Sequence, residues 1–303
     1  MTESAETFAR DAERQPLAPD EAAGAPPPRG GAADVPVVVI RPPRWLEVDV
    51  GDVWRYRELV YFLVWRDLKV RYKQTVIGAA WAILQPVFTM ILFVIIFGHL
   101  ARLPSSGAEP PFYYAAVVLW TYFAQAVTQS ANSIVEHQQV ITKIYFPRLL
   151  LPVSAVVSAL VDFGIASLVL VGLMVVYRTP IGWQVVLAPL FVLLAVVAAA
   201  GAGMLLAALN ARFRDVRYAL PFLVQIWMFA SPVAYGVGLV PPEWRSLYAL
   251  NPMAGAIEGF RWAALGGTSP SHLIWISAAT GLGLALVGLF YFQKTEIILA
   301  DVV

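Results

Sequence analysis

The sequence has no cysteine, three histidines and few charged side chains among its 303 residues. Without cysteine, the chain has no disulfides, thiolate metal sites or thiol nucleophiles, and the scattered histidines (His99, His137 and His272) argue against a zinc centre. We therefore expect no metal and no cofactor bound by this chain. The net charge of +1 gives no indication of a nucleic-acid partner, which calls for a basic patch and a high pI.

The shortage of charge points to a membrane environment. Charged residues make up 14% of the chain and hydrophobic residues 59%, whereas a soluble domain carries roughly 25% charge. So few charges cannot cover a water-facing surface, and we expect lipid to surround much of the protein. The chain is therefore predicted to be an integral membrane protein.

The N-terminal region differs from the rest. Residues 1–40 are rich in proline, alanine and glutamate and include the run PPPRGG, a composition that predicts a disordered cytoplasmic tail. The start lacks the basic and apolar pattern of a signal peptide, so the first hydrophobic span is expected to direct insertion. Residues 41–75 are predicted to form a cytoplasmic segment that ends in an amphipathic helix.

Six stretches are long and apolar enough to cross a bilayer, which takes about 20 residues of helix. The predicted spans are 76–99, 111–135, 149–177, 184–209, 219–240 and 272–292. The second is the weakest, because Gln125, Gln129, Ser130 and Asn132 interrupt it, but the loops on its two sides differ in charge. Residues 76–303 thus form an all-α transmembrane domain of six helices.

Lysine and arginine near the span ends predict the orientation. The segments on one side hold twelve of them, and the opposite loops hold four, Arg102, Arg178, Arg245 and Arg261. The twelve are Arg55, Arg57, Arg66, Lys69, Arg71, Lys73, Lys143, Arg148, Arg212, Arg214, Arg217 and Lys294. This asymmetry places both termini in the cytoplasm.

The segment before the first span, residues 54–75, is basic and aromatic. On a helical projection its charged residues Arg55, Glu58, Arg66, Lys69 and Lys73 fall within about 80° of one another. Apolar residues lie around the other side, interrupted by Arg57, Asp67 and Arg71. This pattern predicts an amphipathic helix in the cytoplasmic membrane interface, in contact with membrane lipids. The alternative is an ordinary basic flank that only sets topology.

A carboxylate, Asp162, lies about 20 Å of helix rise from the start of the third span, near the middle of the bilayer. A charge at that depth costs at least about 2.5–3.5 kcal/mol, so the side chain should face the bundle or a pathway. It is expected to be protonated or paired. A structural hydrogen bond and proton coupling both remain open.

Aromatic side chains are abundant, with ten tryptophans, twelve tyrosines and sixteen phenylalanines. Most are expected to anchor the membrane interface, but some rings could stack on the apolar faces of sugars. The candidates for a pathway are Trp81, Tyr113, Tyr114, Trp120, Tyr122, Trp227 and the carboxylate Asp162.

Several long segments resemble a known family. They begin with RYRELVYFLVWRDLKVRYKQT from residue 55 and continue with ITKIYFPRLLLPVSAVVSALVDF, LNARFRDVRYALPFLVQIWMFASPVAY and LNPMAGAIEGFRWAALG. In this order and spacing they resemble the permease subunits of ABC-type exporters of O-antigen, capsule, teichoic acid and related glycans. The resemblance covers roughly residues 40–303 and leaves the N-terminal tail outside.

The resemblance implies a complex of two permease chains with two copies of a separate P-loop ATPase. This chain has no GxxxxGK[ST] loop of its own, so it is not expected to be an enzyme, and ATP and Mg are expected on the partner. By resemblance, the loops 136–148 and 210–217 couple to the ATPase; the alternative is charged loops that fix topology. The coupling candidates are Glu136, His137, Gln138, Lys143, Tyr145, Arg148, Arg212, Arg214, Asp215 and Arg217.

Residues 241–267 are too broken by proline and glycine for a span and too apolar for a free loop. Glu258 and Arg261, three residues apart, share a helical face and could pair. The resemblance implies two short re-entrant helices that form an outer gate, and the alternative is an amphipathic surface hairpin. The gate candidates are Trp244, Asn251, Pro252, Glu258 and Arg261.

Taken together, the resemblance implies a homodimeric, multi-pass permease that moves a lipid-linked polysaccharide across the cytoplasmic (inner) membrane of a bacterium. One alternative is a type-two ABC exporter of a small hydrophobic substrate or lipid. Another is a membrane-embedded glycosyltransferase or polymerase. Such an enzyme needs clustered charges at one membrane face, whereas the outer side after the fifth span offers only Glu243, Arg245, Glu258 and Arg261.

Overall fold

All regular structure in the described part of the chain is helical. The computed structural model describes residues 55–73, 78, 80–100, 109–141, 146–267 and 269–302, without the side chains of 140, 141 and 296–302. The predicted tail, residues 1–40, and the coupling candidates Lys143 and Tyr145 lie outside the described residues. The prediction of an all-α protein is confirmed for the residues described.

The helices follow one another in the order in which the hydrophobic pattern places them. They are α1 (Arg57–Lys73), α2 (Ala80–Phe93, continued by a π-helical segment Val94–Leu100), α3 (Pro110–Glu136), α4 (Gln138–Ile141), α5 (Leu150–Val176), α6 (Ala188–Arg212, preceded by a 3-10 turn Trp183–Leu187), α7 (Val216–Phe229), α8 (Pro242–Tyr248), α9 (Pro252–Leu265) and α10 (Ile274–Val302).

Among the described residues, four helical segments are long and apolar enough to cross a membrane: Ala80–Leu100, Leu150–Val176, Trp183–Arg212 and Ile274–Thr295. They correspond to the first, third, fourth and sixth predicted spans. Helix α3 has the necessary length, 27 residues, but its glutamine and asparagine side chains lower its hydropathy. The chain is therefore a multi-pass membrane protein with at least four apolar spans.

The fifth predicted span, 219–240, is not one continuous helix. Helix α7 ends at Phe229 after 14 residues, which is about 21 Å and shorter than the roughly 30 Å of hydrocarbon. Turns follow, and then a short 3-10 helix, Val237–Leu239. The helix stops here because Pro232 has no N–H to donate and disfavours the helical conformation of the preceding Ser231. The predicted end of this span, residue 240, rested on hydropathy alone and lies beyond the end of the helix at Phe229.

Helix α3 forms the centre of the bundle although it is the least apolar of the predicted spans. It packs against α2, α5, α6, α7 and α9, and its residues from Tyr113 to Leu119 are almost fully buried. Because protein rather than lipid surrounds this helix, polar side chains along it can be satisfied within the bundle. A second, smaller cluster joins Leu63 of α1 to Leu150 of α5 and Phe292 of α10.

Helices α6 and α10 approach each other through glycine. At Gly288 an added Cβ would collide with the backbone of Gly201, and at Gly201 it would lie 2.5 Å from Cα of Ala285. Small residues allow such a close approach between membrane helices, where dispersion contacts replace a hydrophobic driving force. The contact holds α10, the last apolar span, against the middle of α6.

Candidate functional site

A polar network joins α1 to the middle of the bundle. Arg71 donates to Oδ2 of Asp162 on α5, and the Tyr72 hydroxyl donates to Oδ1 of the same carboxylate. A second Arg71 nitrogen, Nη2, donates to Oε1 of Gln129 on α3 at 2.6 Å. Asp162 is only 5% exposed, so the structure pairs the carboxylate that the sequence places deep in the third span.

The tyrosine of this network keeps its proton. Burial, together with the hydrogen bond to Asp162, raises the pKa of Tyr72 to about 12. The hydroxyl therefore remains a donor to the carboxylate over the physiological pH range. The network combines a permanent cation, a neutral donor and an acceptor, which is the arrangement that a buried carboxylate requires.

A second contact ties α1 to the end of α3. Arg66 bonds through Nη2 to Nε2 of His137 and also donates to Oδ1 of Asp67 at 2.9 Å. The other ring nitrogen, Nδ1, lies 2.7 Å from the carbonyl oxygen of Ser133. Since guanidinium only donates, Nε2 accepts from Arg66, and Nδ1 is the nitrogen that faces the Ser133 carbonyl. His137 is one of the predicted coupling residues.

The surface of α1 does not separate into a charged and an apolar face. Of its side chains only Leu63 is buried, whereas Tyr61, Phe62 and Trp65 are exposed between charged neighbours. Among the predicted interfacial residues, Arg55, Lys69 and Lys73 are exposed, and Arg66 and Arg71 are half-buried. The helix itself is where the sequence predicts it, and its position in the membrane interface stays a prediction.

The described parts of the two predicted coupling loops lie at the same end of the bundle. Asn210, buried at the end of α6, donates through Nδ2 to the Ala131 carbonyl at 2.9 Å and to Oδ1 of Asn132 at 3.1 Å, near the end of α3. Sequence reasoning did not single out Asn210, although an asparagine at the end of an apolar span is a visible signal. This contact brings the ends of α3 and α6 together.

Most described coupling candidates are open to solvent. In the first loop Glu136 and Gln138 are exposed, and His137 and Arg148 are half-buried. In the second loop Arg212, Arg214, Asp215 and Arg217 are all exposed. The two loops together present a charged, accessible surface at one end of the bundle.

The predicted gate segment forms two helices, α8 and α9, of which only α9 is buried. Trp244 on α8 is 60% exposed, whereas Pro252 and most of α9 are buried against α3, α6 and α10. Asn251 caps α9 by accepting a hydrogen bond from the Met253 amide, and Gly266 ends the helix with a φ of 77°. Re-entry of these helices into the membrane stays a prediction.

Arg261 on α9 is 8% exposed and binds backbone rather than a carboxylate. Its guanidinium donates to the carbonyl oxygens of Phe112 (3.2 Å), Tyr235 (3.4 Å), Pro232 (3.0 Å) and Val233 (3.2 Å). It also lies 3.7 Å from the centroid of the Phe112 ring. These bonds connect α9 to the start of α3 and to the turn after α7.

The expected ion pair of Glu258 with Arg261 is not formed, although both side chains lie in the described part of the chain and other pairs there, such as Arg71–Asp162, are. The turn after α7 has carbonyl groups outside any regular helix, and the fork of donors on Arg261 meets them. Glu258 is half-buried on the same helix. The i, i+3 spacing therefore placed Glu258 on the same helix as Arg261 correctly, but it did not predict that Arg261 binds backbone carbonyls.

Four of the aromatic pathway candidates are core residues in this structure. Tyr113, Tyr114 and Tyr122 are almost fully buried, and the Tyr114 hydroxyl donates to the Ala166 carbonyl at 3.0 Å. Trp120 is also buried against neighbouring rings. These side chains offer no surface to a sugar in this arrangement, because five other helices enclose α3. Trp81 is exposed, and Trp227 is half-buried.

Trp227 and Asn251 form a compact junction beneath the gate helices. Oδ1 of Asn251 accepts from the Trp227 indole at 2.9 Å and from the Met253 amide at 3.0 Å. Its Nδ2 donates to the Ala230 carbonyl and to Ser231 Oγ, both at 2.9 Å. One amide side chain therefore links the end of α7 to the start of α9.

Replacing Asn251 with aspartate is expected to lower the free energy of unfolding by about 2 kcal/mol, because two donations are lost and a carboxylate faces the Ala230 carbonyl. Thermal melting of the detergent-solubilised protein measures the change. Trp227→Phe is the matched control, since it removes a single donor and should cost about 1 kcal/mol. Equal melting temperatures for the two variants would contradict this account of the junction.

Comparison with known proteins finds one transporter family and several permeases similar to this chain. Residues 58–265 match the ABC-2 type transporter family. The O-antigen export system permease protein RfbA of Myxococcus xanthus is 32% identical over 214 residues, which cover 70% of this chain and 82% of that protein. A protein of the same name from Klebsiella pneumoniae is 28% identical over 81% of this chain and 95% of its own length. The inner membrane transport permease YadH of Escherichia coli is 27% identical over 60% of this chain and 74% of that protein.

Proposed function

This chain belongs to the ABC-2 type transporter family, and from that premise we propose that it is the membrane-spanning subunit of an ATP-driven exporter of a lipid-linked polysaccharide. The observation that carries the proposal is the extent of the similarity to O-antigen export permeases, which reaches 95% of the length of one of them. The similarity to YadH covers less of this chain, 60%. The proposed exporter lies in the cytoplasmic membrane of a bacterium, and both termini of this chain are proposed to lie in the cytoplasm.

The proposed topology has six spans. Helix α3 supplies the second, buried among the others, and α7 with the turns that follow it supplies the fifth. Non-helical backbone at membrane depth is tolerated where protein buries it, and the Arg261 bonds to carbonyls of Pro232, Val233 and Tyr235 meet that condition. Helix α9, buried against three other helices, is proposed to re-enter from the outer side and to close the pathway there.

The proposed assembly is a homodimer bound to two copies of a P-loop ATPase, which holds ATP and Mg. The exposed charges of the two coupling loops lie at the same end of the bundle and offer the docking surface. Hydrolysis in the partner moves these loops, and the motion passes into α3 and α6, whose ends are joined by Asn210. The polysaccharide is proposed to pass between the two permease chains, because the core of the single chain is filled with buried side chains.

The proposal predicts that depletion of this chain in cells traps the glycan inside. Lipid-linked polysaccharide should accumulate in the cytoplasmic pool and disappear from the surface, since synthesis continues while export stops. Separate quantification of the two pools by lipid extraction and surface labelling measures this. Re-expression of the wild-type chain is the control and should restore the surface pool.

Two other outcomes would contradict the proposal in different ways. If surface glycan is unchanged and none accumulates, a small hydrophobic molecule or lipid becomes the substrate of the exporter. If the glycan is not made in either pool, the chain takes part in synthesis, and the transport proposal fails. The accumulated polymer, where it appears, identifies the glycan and its lipid anchor.

A further inference from the structure

Helix α1 packs along α5 and reaches α3 through two arginine side chains. Its Arg66 meets His137 at the end of α3, and its Arg71 meets Gln129, eight residues earlier on the same helix. Those eight residues span about 12 Å of α3, and the five residues from Arg66 to Arg71 span about 7.5 Å of α1. The two contacts therefore follow opposite chain directions on α1 and α3.

The contacts with α5, in contrast, follow the same chain direction on both helices. Leu63 of α1 shares a buried cluster with Leu150 and Leu151 in the first turn of α5. About two to two and a half turns further along α1, Arg71 and Tyr72 reach Asp162, in the middle of α5. Helix α1 thus lies alongside the first half of α5, with attachments at two levels.

The face of α5 that carries Asp162 is polar for a membrane bundle. On α5 the side chains Ser154, Ser158 and Asp162 recur every four residues and are all buried. Gln129 and the buried Ser133 lie one turn apart on the facing helix α3. A carboxylate within such a seam is costly to leave without partners, and α1 donates to both of its oxygens.

We propose that Asp162 is the positioning residue of α1, a latch that holds this helix over the polar seam between α3 and α5. The attachment through Arg66 and His137 lies beside the first coupling loop, so motion of that loop reaches α1 directly. Opening of the seam requires release of Arg71 and Tyr72 from Asp162. The consequence for transport rests on the proposed function, whereas the latch itself is a property of the chain alone.

The absence of cysteine from the sequence makes the latch directly testable by cross-linking in full-length protein in membranes. The reporter pair is Arg66→Cys with His137→Cys, which joins α1 to α3. The control pair is Asn132→Cys with Asn210→Cys, on α3 and α6, whose side chains lie 3.1 Å apart without involving α1. A short bifunctional thiol reagent is applied to permeabilised cells, and the initial rate of cross-linking is measured.

In the reporter background, each of the single variants Asp162→Asn and Arg71→Gln is expected to slow cross-linking about tenfold. This size of effect is typical of coupled residues in one network. Tyr72→Phe, which removes one hydroxyl, should slow it less. The double exchange Arg71→Asp with Asp162→Arg should restore the rate. In every variant that folds, the control pair should cross-link at the same rate as it does without further substitutions, because α1 takes no part in that contact.

An unchanged reporter rate in Asp162→Asn and Arg71→Gln would overturn the proposal. If the control pair also stops cross-linking in these variants, they have not folded, and Tyr72→Phe decides: an unchanged rate there overturns the latch. Export of polysaccharide is measured separately on the same variants. If the reporter variants show the expected cross-linking pattern but the wild-type chain moves no polysaccharide, the proposed function is refuted and the latch stands.

Discussion

Gly288→Leu is expected to prevent α10 from packing on α6, with a loss of about 3 kcal/mol or more. A Cβ at Gly288 would collide with the carbonyl group of Gly201. Overpacked cores usually adjust by turning side chains, but here the neighbouring atoms belong to backbone. The helices must therefore separate, and the dispersion contacts along their whole seam weaken together.

The matched control is Gly283→Leu on the same helix, where an added Cβ meets nothing within 4 Å. This variant is expected to melt at or slightly above the wild-type temperature, because leucine favours the helix over glycine by about 1 kcal/mol. Melting temperature and the monodisperse fraction after solubilisation measure both variants. If Gly288→Leu behaves like its control, the close approach of α6 and α10 does not stabilise the bundle.

The order of the four apolar spans could be read from the sequence, because the length of an apolar run directly measures what a helix can bury in lipid. The location of α3 at the centre could not. Hydropathy treats every residue as facing lipid, and on that basis Gln125 and Gln129 weaken the second span. In the structure other helices surround α3, and Gln129 finds a partner in Arg71.

The partners of charged residues were the least predictable part of the site. A helical projection of α1 uses only local spacing, whereas Arg71 and Asp162 are separated by 91 residues in the chain. Spacing along α9 likewise predicted Glu258 as the partner of Arg261, and the tertiary fold supplied carbonyl groups instead. The end of α7 was visible in principle at Pro232, but continuous hydropathy outweighed that signal.

Arg261→Met is expected to be the most damaging single change in the predicted gate, lowering the free energy of unfolding by about 3 kcal/mol. Methionine also has a stabilising effect, because it removes a buried cation and the cost of its desolvation. Four hydrogen bonds from a charged donor, each worth roughly 1.5–3 kcal/mol, and contact with the Phe112 ring outweigh that relief. The variant also leaves turn carbonyls without donors in a part of the fold closed to water.

Arg245→Met is the matched control, since this arginine of α8 donates to the carbonyls of Val240 and Gly238 from a partly exposed position. Water can replace those two bonds, so the expected cost is below about 1 kcal/mol. Arg261→Lys should fall between the two, because it keeps the charge but lacks the planar fork that reaches several carbonyls. Thermal melting of the three variants in detergent measures the order. If Arg261→Met melts no lower than Arg245→Met, then α9 is held in place by its apolar contacts with α6 and α10 alone, and the guanidinium is not what fixes the gate to the start of α3.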